Sequence, residues 1–266
     1  MTSRTMQPTP PRRVLDMDEK SWWDFWNTSY RAEDDKDVTS TELFTRVTAV
    51  IGQIAEPAPP RILEIACGSG ALSRRLSYSS YHGLDISPAA IDIARRKSLD
   101  APRPGNSSTP TYEACDFHDW PLPKEPLDLV LCVDAISCFR DQSLIVRKMA
   151  DSLRDAGRLV VTTINPFVYN RIKRTKASPI QDGPVSHWLS ADELHKLILS
   201  AGLTIEHSYT IMPRGNRGIL RIINSPRLNG AFGPRAASFL RLLKERIGLG
   251  QYRVLVAIKK PRLKVS

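Results

Sequence analysis

The residues of this sequence best suited to chemistry lie at a short turn after an apolar run. Residues 64–70 are E-I-A-C-G-S-G, which places the carboxylate of Glu64 close to the bare backbone of Gly68 and Gly70. Glycine lets the backbone approach a ligand closely. A dinucleotide site would add a third glycine, in the pattern G-x-G-x-x-G, but residues 71–73 are A-L-S. A carboxylate is also unfavourable beside a pyrophosphate, so the turn favours a ligand that carries positive charge.

Acidic residues also mark the ends of the next three apolar runs. Asp85 ends the run Y-H-G-L-D, Asp116 precedes Phe117 in the motif C-D-F, and Asp134 follows Val133 at the end of L-D-L-V-L-C-V. A carboxylate offers two acceptor oxygens, which suit a vicinal diol. One pair of glycines is weak evidence, but acidic or glycine signals at four successive run ends indicate one extended ligand site.

The elements that position these residues alternate along the chain. Apolar runs predict strands at 61–65, 81–86, 111–116, 127–133, 158–164, 204–211 and 252–258. Helical patterns lie between them: a short helix from Ala71, one capped by Ser87, one over 141–153 that ends before a turn at Gly157, and one capped by Ser190. A further helix is predicted around Ala236 to Ile247. Strands that alternate with helices predict a parallel sheet covered on both faces.

At this point the sequence resembles the class I S-adenosylmethionine-dependent methyltransferases, in the branch that acts on small molecules of quinone and natural-product pathways. Their first motif is acid-x-small-x-G-x-G, and this chain departs from many members in having Ala66 where they have glycine. The resemblance covers about Val38 to Ile164 and the helix and two strands that follow. It implies an α/β fold with a Rossmann-like seven-stranded sheet, mostly parallel with a reversed last strand, helices on both faces and an insertion before the last strand.

The resemblance also implies S-adenosyl-L-methionine as the cofactor. The acid of the first motif suits its ammonium and sulfonium groups, Asp85 receives both ribose hydroxyls, and Asp116 accepts from the adenine amine while Phe117 packs on the ring. The end of the fourth strand is where the methionine part and the substrate meet. The cofactor-binding residues implied in this core are Glu64, Ala66, Cys67, Gly68, Gly70, Asp85, Ile86, Asp116, Phe117, Val133 and Asp134.

We expect a disordered N-terminal tail at 1–15 and a single methyltransferase domain over 16–266. The expected regions of that domain are a helical lid (20–55), a cofactor-binding core (56–164) and a substrate-specificity region (165–250). In similar enzymes an aromatic residue and an arginine of the lid can touch the methionine carboxylate. Tyr30 and Arg31 are therefore further cofactor-binding candidates, because arginine pairs with a carboxylate bidentately.

The reaction implied is methyl transfer to a small molecule, with O-methylation favoured over N- or C-methylation. An oxygen nucleophile needs a base to remove its proton, and His187, in G-P-V-S-H-W-L-S, is the candidate catalytic residue. A packing role beside Trp188 is the alternative for this histidine. A metal-assisted mechanism would use Asp134 and Asn165, but two loosely spaced ligands predict no metal site.

Positive charge is concentrated towards the C-terminus. The chain carries a formal net charge of +10, and from Thr210 onward there are 13 basic residues and one acid, Glu245. Arg171, Lys173, Arg174, Arg214 and Arg217 suggest an anionic or carrier-bound substrate. Nucleic acid is the alternative partner, disfavoured because no separate RNA-binding domain or base-amine motif is found.

Peripheral contact with a membrane is a further alternative. It rests on the amphipathic pattern of Phe239, Leu240, Leu242, Leu243 and Ile247 with Arg241, Lys244 and Arg246. A helix that packs on its own domain would explain the same pattern. The start of the chain lacks the apolar core of a signal peptide, so we expect a cytoplasmic protein. The oligomeric state is not predicted.

Overall fold

The computed structural model describes residues 17–33, 42–54, 58–99, 108–171, 187–213, 218–225 and 233–261, except for the side chains of residues 19, 29–33 and 234. The tail predicted at 1–15 lies outside these residues. So do Lys173, Arg174, Arg214 and Arg217. None of the described helices is both long enough and apolar enough to cross a bilayer.

Seven strands form one sheet in the order β3-β2-β1-β4-β5-β7-β6. Strand β7 runs antiparallel to both of its neighbours, while β1 to β5 are mutually parallel. This arrangement confirms the predicted Rossmann-like sheet with a reversed last strand. The strands are β1 (Arg61–Ile65), β2 (Ser80–Asp85), β3 (Thr111–Ala114), β4 (Leu127–Val133), β5 (Leu153–Ile164), β6 (Leu203–Pro213) and β7 (Gly250–Lys259).

Eight α-helices in the described residues connect or cover these strands. They are α1 (Glu19–Glu33), α2 (Glu42–Ile54), α3 (Pro88–Leu99), α4 (Gln142–Ser152), α5 (Pro166–Tyr169), α6 (Ala191–Ser200), α7 (Ile219–Ile223) and α8 (Gly233–Arg246), with a 3₁₀ helix at Ile136–Cys138. Ser87 and Ser190 cap α3 and α6 as predicted, and Glu193 completes a capping box with Ser190.

Two local predictions were wrong. Residues 71–75 form turns rather than a short helix. The N–H groups of Arg75 and Leu76 both donate to Leu72 O, which makes a single tight turn. Strand β5 begins directly after α4, so Gly157 lies inside the strand. The residue before it, Ala156, has left-handed backbone, with φ 61°.

The sheet is buried on both faces by two apolar layers. One contains residues of α2 and α3, such as Val47 and Ile91, together with Ile211 and Met212 of β6. The other contains residues of α4 and α6, such as Met149. The run L-D-L-V-L-C-V is apolar at successive positions because β4 lies at the centre and contributes side chains to both layers. Because β1 to β5 are parallel, their carboxyl ends meet at one edge of the sheet, where the candidate site lies.

Candidate active site

A cavity of about 490 Å³ opens at the carboxyl edge of the sheet. Of the eleven core residues that the family resemblance implies for cofactor binding, ten line this cavity: Glu64, Ala66, Cys67, Gly68, Asp85, Ile86, Asp116, Phe117, Val133 and Asp134. Helices α1 and α2 and the ends of β6 and β7 form the rest of its wall. We call the part formed by β1 to β3 and their turns the cofactor half, and the part formed by α1, the 3₁₀ helix, β6 and β7 the acceptor half.

The turn after β1 depends on left-handed backbone. Ala66, Gly68 and Gly70 have φ of 55°, 52° and 67°. Gly70 does not line the cavity but supports the turn from behind, because a Cβ there would lie 2.8 Å from Tyr112 Oη and 3.1 Å from Ala94 Cβ. Ala66 takes a conformation that usually costs a non-glycine residue about 1–2 kcal/mol. The glycine that many family members have at this position avoids this conformational cost. Alanine is small, but it does not avoid the cost.

Asp85 fixes the shape of the cofactor half. Its carboxylate accepts the N–H of Gly68 at 2.8 Å and the N–H of Ser87 at 2.9 Å, so it joins the turns after β1 and β2. Burial raises the pKa of Asp85 to about 6, although these backbone donors act in the opposite direction. Each carboxylate oxygen can accept more than one hydrogen bond, which leaves acceptor capacity for a diol.

Glu64 is almost completely buried on the cavity wall. The phenolic O–H of Tyr81 donates to its carboxylate. Burial raises the pKa of Glu64 well above its usual range, and the nearby charge of Asp85 adds to this. A carboxylate held in such surroundings is stabilised by any cation that enters the cavity.

Asp116 and Phe117 form the far end of the cofactor half. Asp116 accepts the backbone N–H of His118 at 2.8 Å and lies 2.9 Å from Nδ1 of the same histidine. Phe117 is buried, and Lys148 holds the turn by donating to Phe117 O and His118 O, both at 2.7 Å. Phe117 thus lines the cavity at the place where adenine packing was expected.

Asp134 lies where the two halves meet. Its backbone is left-handed, with φ 57°, and is held by bonds from its N–H to Thr162 O (3.1 Å) and Thr162 Oγ1 (2.9 Å). Its half-buried carboxylate lines the cavity and makes no hydrogen bond or ion pair with any described residue. Burial raises the pKa of Asp134 to about 7. Strained backbone that holds an unpaired acid in a cavity is typical of functional sites.

Helix α1 covers the cavity and joins its two halves. Asn27 Oδ1 accepts the N–H of Ala89 and the hydroxyl of Ser87, both at 3.1 Å, at the start of α3. At the other end, the guanidinium of Arg140 lies 6.0 Å from the ring of Trp22 and donates to Met17 O at 3.0 Å. Tyr30 and Arg31 belong to α1, but their side chains lie outside the described residues.

The acceptor half contains residues that the sequence did not single out as ligand contacts. Apolar side chains from the 3₁₀ helix, β6 and β7 form most of its wall, namely Cys138, Phe139, Met212 and Tyr252. Two polar side chains there lack hydrogen-bond partners: Trp22 Nε1, whose side chain is 5% exposed, and Gln251 Oε1, at 8% exposed. A buried polar atom without a partner is costly. Both residues line the cavity, but the two atoms are closed off from its open space, so either would reach a ligand only after its side chain turns. Trp22 belongs to the aromatic-rich stretch S-W-W-D-F-W-N-T-S-Y-R (21–31), which is its only signal in the sequence; no motif marks Gln251.

His187 does not line the cavity. It is exposed beside the first turn of α6, where its Nε2 lies 3.0 Å from Glu193 Oε1 and its carbonyl accepts from Gln142. Asn165 is likewise committed elsewhere: its amide donates to Gly248 O and Gly250 O, and its oxygen accepts from Phe167 N–H. Among the described residues no group of three or more His, Cys, Asp or Glu side chains could hold a metal ion.

The charge of the cavity suits a cation. Five acidic residues line it, and no lysine or arginine does so within the described part of the chain; the acids are Glu42, Glu64, Asp85, Asp116 and Asp134. Together with the left-handed turn at Gly68, the diol acceptors of Asp85 and the aromatic wall at Phe117, this fits S-adenosyl-L-methionine. Arg171 lies at the surface, with its guanidinium 4.0 Å from the ring of Phe167.

Fold and site together define the class of Rossmann-like, S-adenosylmethionine-dependent methyltransferases. Residues 40–208 match the model of a family described as a methyltransferase domain. The chain belongs to this family, which confirms the resemblance found in the sequence and, with it, the cofactor.

Relatives and solved structures agree with this assignment. A ubiquinone biosynthesis O-methyltransferase of Chelativorans sp. is 28% identical over 174 residues, which cover 59% of this chain and 65% of the relative. A phthiotriol/phenolphthiotriol dimycocerosates methyltransferase of Mycobacterium ulcerans is 31% identical over 110 residues, but the match spans only 38% of its length and 40% of this chain. The magnesium protoporphyrin IX methyltransferase of Synechocystis, solved with bound S-adenosylhomocysteine, shares the fold with a TM-score of 0.56 at 15% identity, covering 90% of this chain and 94% of that one.

Proposed function

We propose that the protein transfers the methyl group of S-adenosyl-L-methionine to a hydroxyl of a neutral small molecule. The observation that carries this proposal is the carboxylate of Asp134, unpaired in the described structure and located between the cofactor and acceptor halves. A base at that point is needed for an oxygen nucleophile more than for a neutral amine, which already has a free electron pair.

Asp134 accepts the proton of the acceptor hydroxyl. Its pKa of about 7 places it close to the pH at which a base is both deprotonated and basic enough to act. The bonds from its N–H to Thr162 hold the residue in place during this transfer. His187 was the base expected from the sequence; its exposed position beside Glu193 favours Asp134 for this role and leaves the histidine as a lid or packing residue.

The remaining residues bind, orient and exclude water. When bound, S-adenosyl-L-methionine supplies an electrophilic methyl group on a positively charged sulfur. Asp85 would hold its ribose, Asp116 and Phe117 its adenine, and Glu64 and the turn at Gly68 its charged methionine part. Trp22 of α1 lies over the cavity and excludes water from it. Alignment of the two reactants in a dry site provides much of the rate enhancement.

The acceptor we propose is neutral and apolar, with an aromatic or quinone-like ring. The acceptor half offers Phe139, Met212 and Tyr252 as walls, and no described basic side chain lines the cavity to balance an anion. The names of the ubiquinone and phenolphthiotriol relatives agree with such a ring. Arg171, the one described residue of the five expected to favour an anion, does not line the cavity, so the expected anionic or carrier-bound substrate has no support among the described residues. A cytoplasmic location stays a prediction.

Calorimetry with S-adenosylhomocysteine and with NAD tests the cofactor, and we expect only the first to bind. Transfer of a labelled methyl group to a panel of phenols, primary amines and benzoates then tests the acceptor. We expect O-methyl products from neutral phenols. Products from amines alone would replace the proposal with N-methylation, and absence of S-adenosylhomocysteine binding would overturn it altogether.

A further inference from the structure

Helix α8 exposes apolar residues while it buries two of its five charged residues, Lys244 and Glu245. Phe239 and Leu242 are 66% and 57% exposed, whereas Lys244 and Glu245 are only 8% and 4% exposed. A surface helix normally buries its apolar stripe and exposes its charges. The buried side of α8 therefore carries two charged side chains, where packing on its own domain would normally place apolar ones.

Polar contacts hold the helix in this orientation. Glu245 pairs with Arg46 of α2 at 2.6 Å and accepts the N–H of Met212 at 3.3 Å, while its carbonyl accepts from Thr210 Oγ1 at 2.6 Å. Lys244 Nζ donates to Ile223 O at 2.8 Å. A rotation of α8 that buried Phe239 would break all of these contacts and leave buried charges behind.

Helix α7 adds to the same exposed surface. Lys244 joins its last turn to α8, and Ile219 and Ile222 are both exposed. We call the exposed apolar residues of the two helices the outer face: Ile219, Ile222, Phe239, Leu242, Leu243 and Ile247. Isolated apolar residues on a surface are ordinary, but a set on two adjoining helices indicates something that covers them.

The charge around the outer face identifies what that is. Arg221, Arg235 and Arg246 lie on α7 and α8 and form no ion pair with any described residue. The only acid between residues 214 and 250 is Glu245, which is buried and paired. At 3.6 residues per turn, Arg235 and Arg246 lie between Leu242 and Phe239 on the same side of α8. Apolar side chains interspersed with arginines that have no described acidic partner match the boundary between acyl chains and anionic headgroups.

We propose that the outer face docks on an anionic membrane surface. Its apolar side chains enter the upper acyl region, and the three arginines contact lipid phosphates. A second copy of the chain fits the face less well, because a two-fold contact would place the same arginines opposite one another.

The docked face adjoins the cavity. Arg241 of α8 pairs with Glu42, and Glu245 holds Met212; both partners line the cavity wall. Docking thus places an apolar acceptor dissolved in the bilayer beside the acceptor half. This consequence rests on the proposed function, whereas the docking itself does not.

Co-sedimentation of the full chain with vesicles tests the proposal. We expect binding to phosphatidylglycerol–phosphatidylcholine vesicles, weakened by salt, and little binding to pure phosphatidylcholine. The double variant Phe239→Gln/Leu242→Gln should lower the partition coefficient roughly tenfold or more, since two inserted side chains are lost. Arg235→Gln/Arg246→Gln should lower it about fivefold for each charge removed.

Leu199→Gln is the matched control, because Leu199 is equally exposed, at 56%, but lies on α6, which packs on the other face of the sheet. It should bind vesicles like the unchanged protein. Equal binding by the double variant, or no binding to anionic vesicles by the unchanged protein, would overturn the proposal. A dimer that only the double variant disrupts would show that a second copy covers the face. S-adenosylhomocysteine binding, measured in parallel, reports whether each variant is folded. Vesicle binding without methyl transfer to phenols would support the docking and overturn the proposed function.

Discussion

The two halves of the cavity are built in different ways. In the cofactor half, the functional groups lie at or near the ends of strands, and backbone N–H groups fix Asp85 and Asp116. In the acceptor half, side chains from distant elements come together, and Trp22 Nε1 and Gln251 Oε1 have no partner. A half that is complete within the chain suits a constant ligand, and a half with unpaired groups suits a ligand that supplies the missing partner.

Asp134→Asn tests the residue that joins the halves, and we expect the largest effect there. The amide cannot accept the proton, so kcat should fall about 100-fold or more, while S-adenosylhomocysteine affinity changes little. Asparagine tolerates left-handed backbone well, so the fold should be retained. For the unchanged enzyme, kcat/KM should rise with pH through about 7, the pKa of Asp134, because only the carboxylate acts as a base; the variant should lose this rise.

The control for this change is Asp151→Asn, which removes an exposed acid of α4 and should leave both kcat and its pH profile intact. If the kcat of the Asp134→Asn enzyme were within threefold of the unchanged value, Asp134 would not be the base. That result would favour an amine or carbon acceptor.

Gly70→Ala tests how strictly the cofactor half is fixed. The new Cβ would lie 2.8 Å from Tyr112 Oη, in addition to the cost of φ 67°, so we expect a loss of about 2–4 kcal/mol in the free energy of unfolding. Gly202→Ala is the matched control: its φ is 79°, but apart from its chain neighbours no described atom lies within 4 Å of its Cβ position. It should lose only about 1–2 kcal/mol. If chemical denaturation gave equal losses in the free energy of unfolding for the two variants, the contact of Gly70 with Tyr112 would not constrain the turn.

Trp22→Phe should have the smallest effect of the three and should act on the acceptor half alone. The variant keeps an aromatic ring but removes the N–H, so KM for the acceptor should rise about fivefold, the value of one neutral hydrogen bond. S-adenosylhomocysteine affinity should not change. Trp188→Phe is the control, because Trp188 Nε1 is also buried without a partner but does not line the cavity. Equal effects of the two variants on KM would contradict a ligand contact at Trp22.

The same contrast explains what the sequence could predict. Glu64, Asp85, Asp116 and Asp134 were recognisable because each follows an apolar strand, and parallel strands bring their carboxyl ends to one edge. Gln251 was not, because its place in the cavity depends on the pairing of β7 between β5 and β6. The seven-stranded sheet with its reversed last strand followed from the family resemblance. The helix expected after Gly70 and the turn expected at Gly157 depended on local packing that no pattern encodes.

The sequence also could not predict which side of α8 is buried. Its residues alternate between apolar and basic in a way that fits either a buried or an exposed apolar face. The choice is made by Arg46, which is 199 residues from Glu245 along the chain and pairs with it across α2 and α8. Sequence patterns predict that a helix has two faces, whereas contacts between distant segments decide which one is turned towards solvent.

The buried acids of the cavity make the ligand-free protein a proton acceptor. Asp85 and Asp134 have pKa values of about 6 and about 7 in the folded state, above their usual value of 3.8, so between about pH 4 and 7 the folded chain binds more protons than the unfolded chain. Its free energy of unfolding should therefore fall as pH rises through this range. A cationic cofactor favours the ionised acids and should release these protons on binding. Calorimetry in buffers of different ionisation enthalpy would count them, and the cofactor's affinity should increase from pH 5 to pH 7.5.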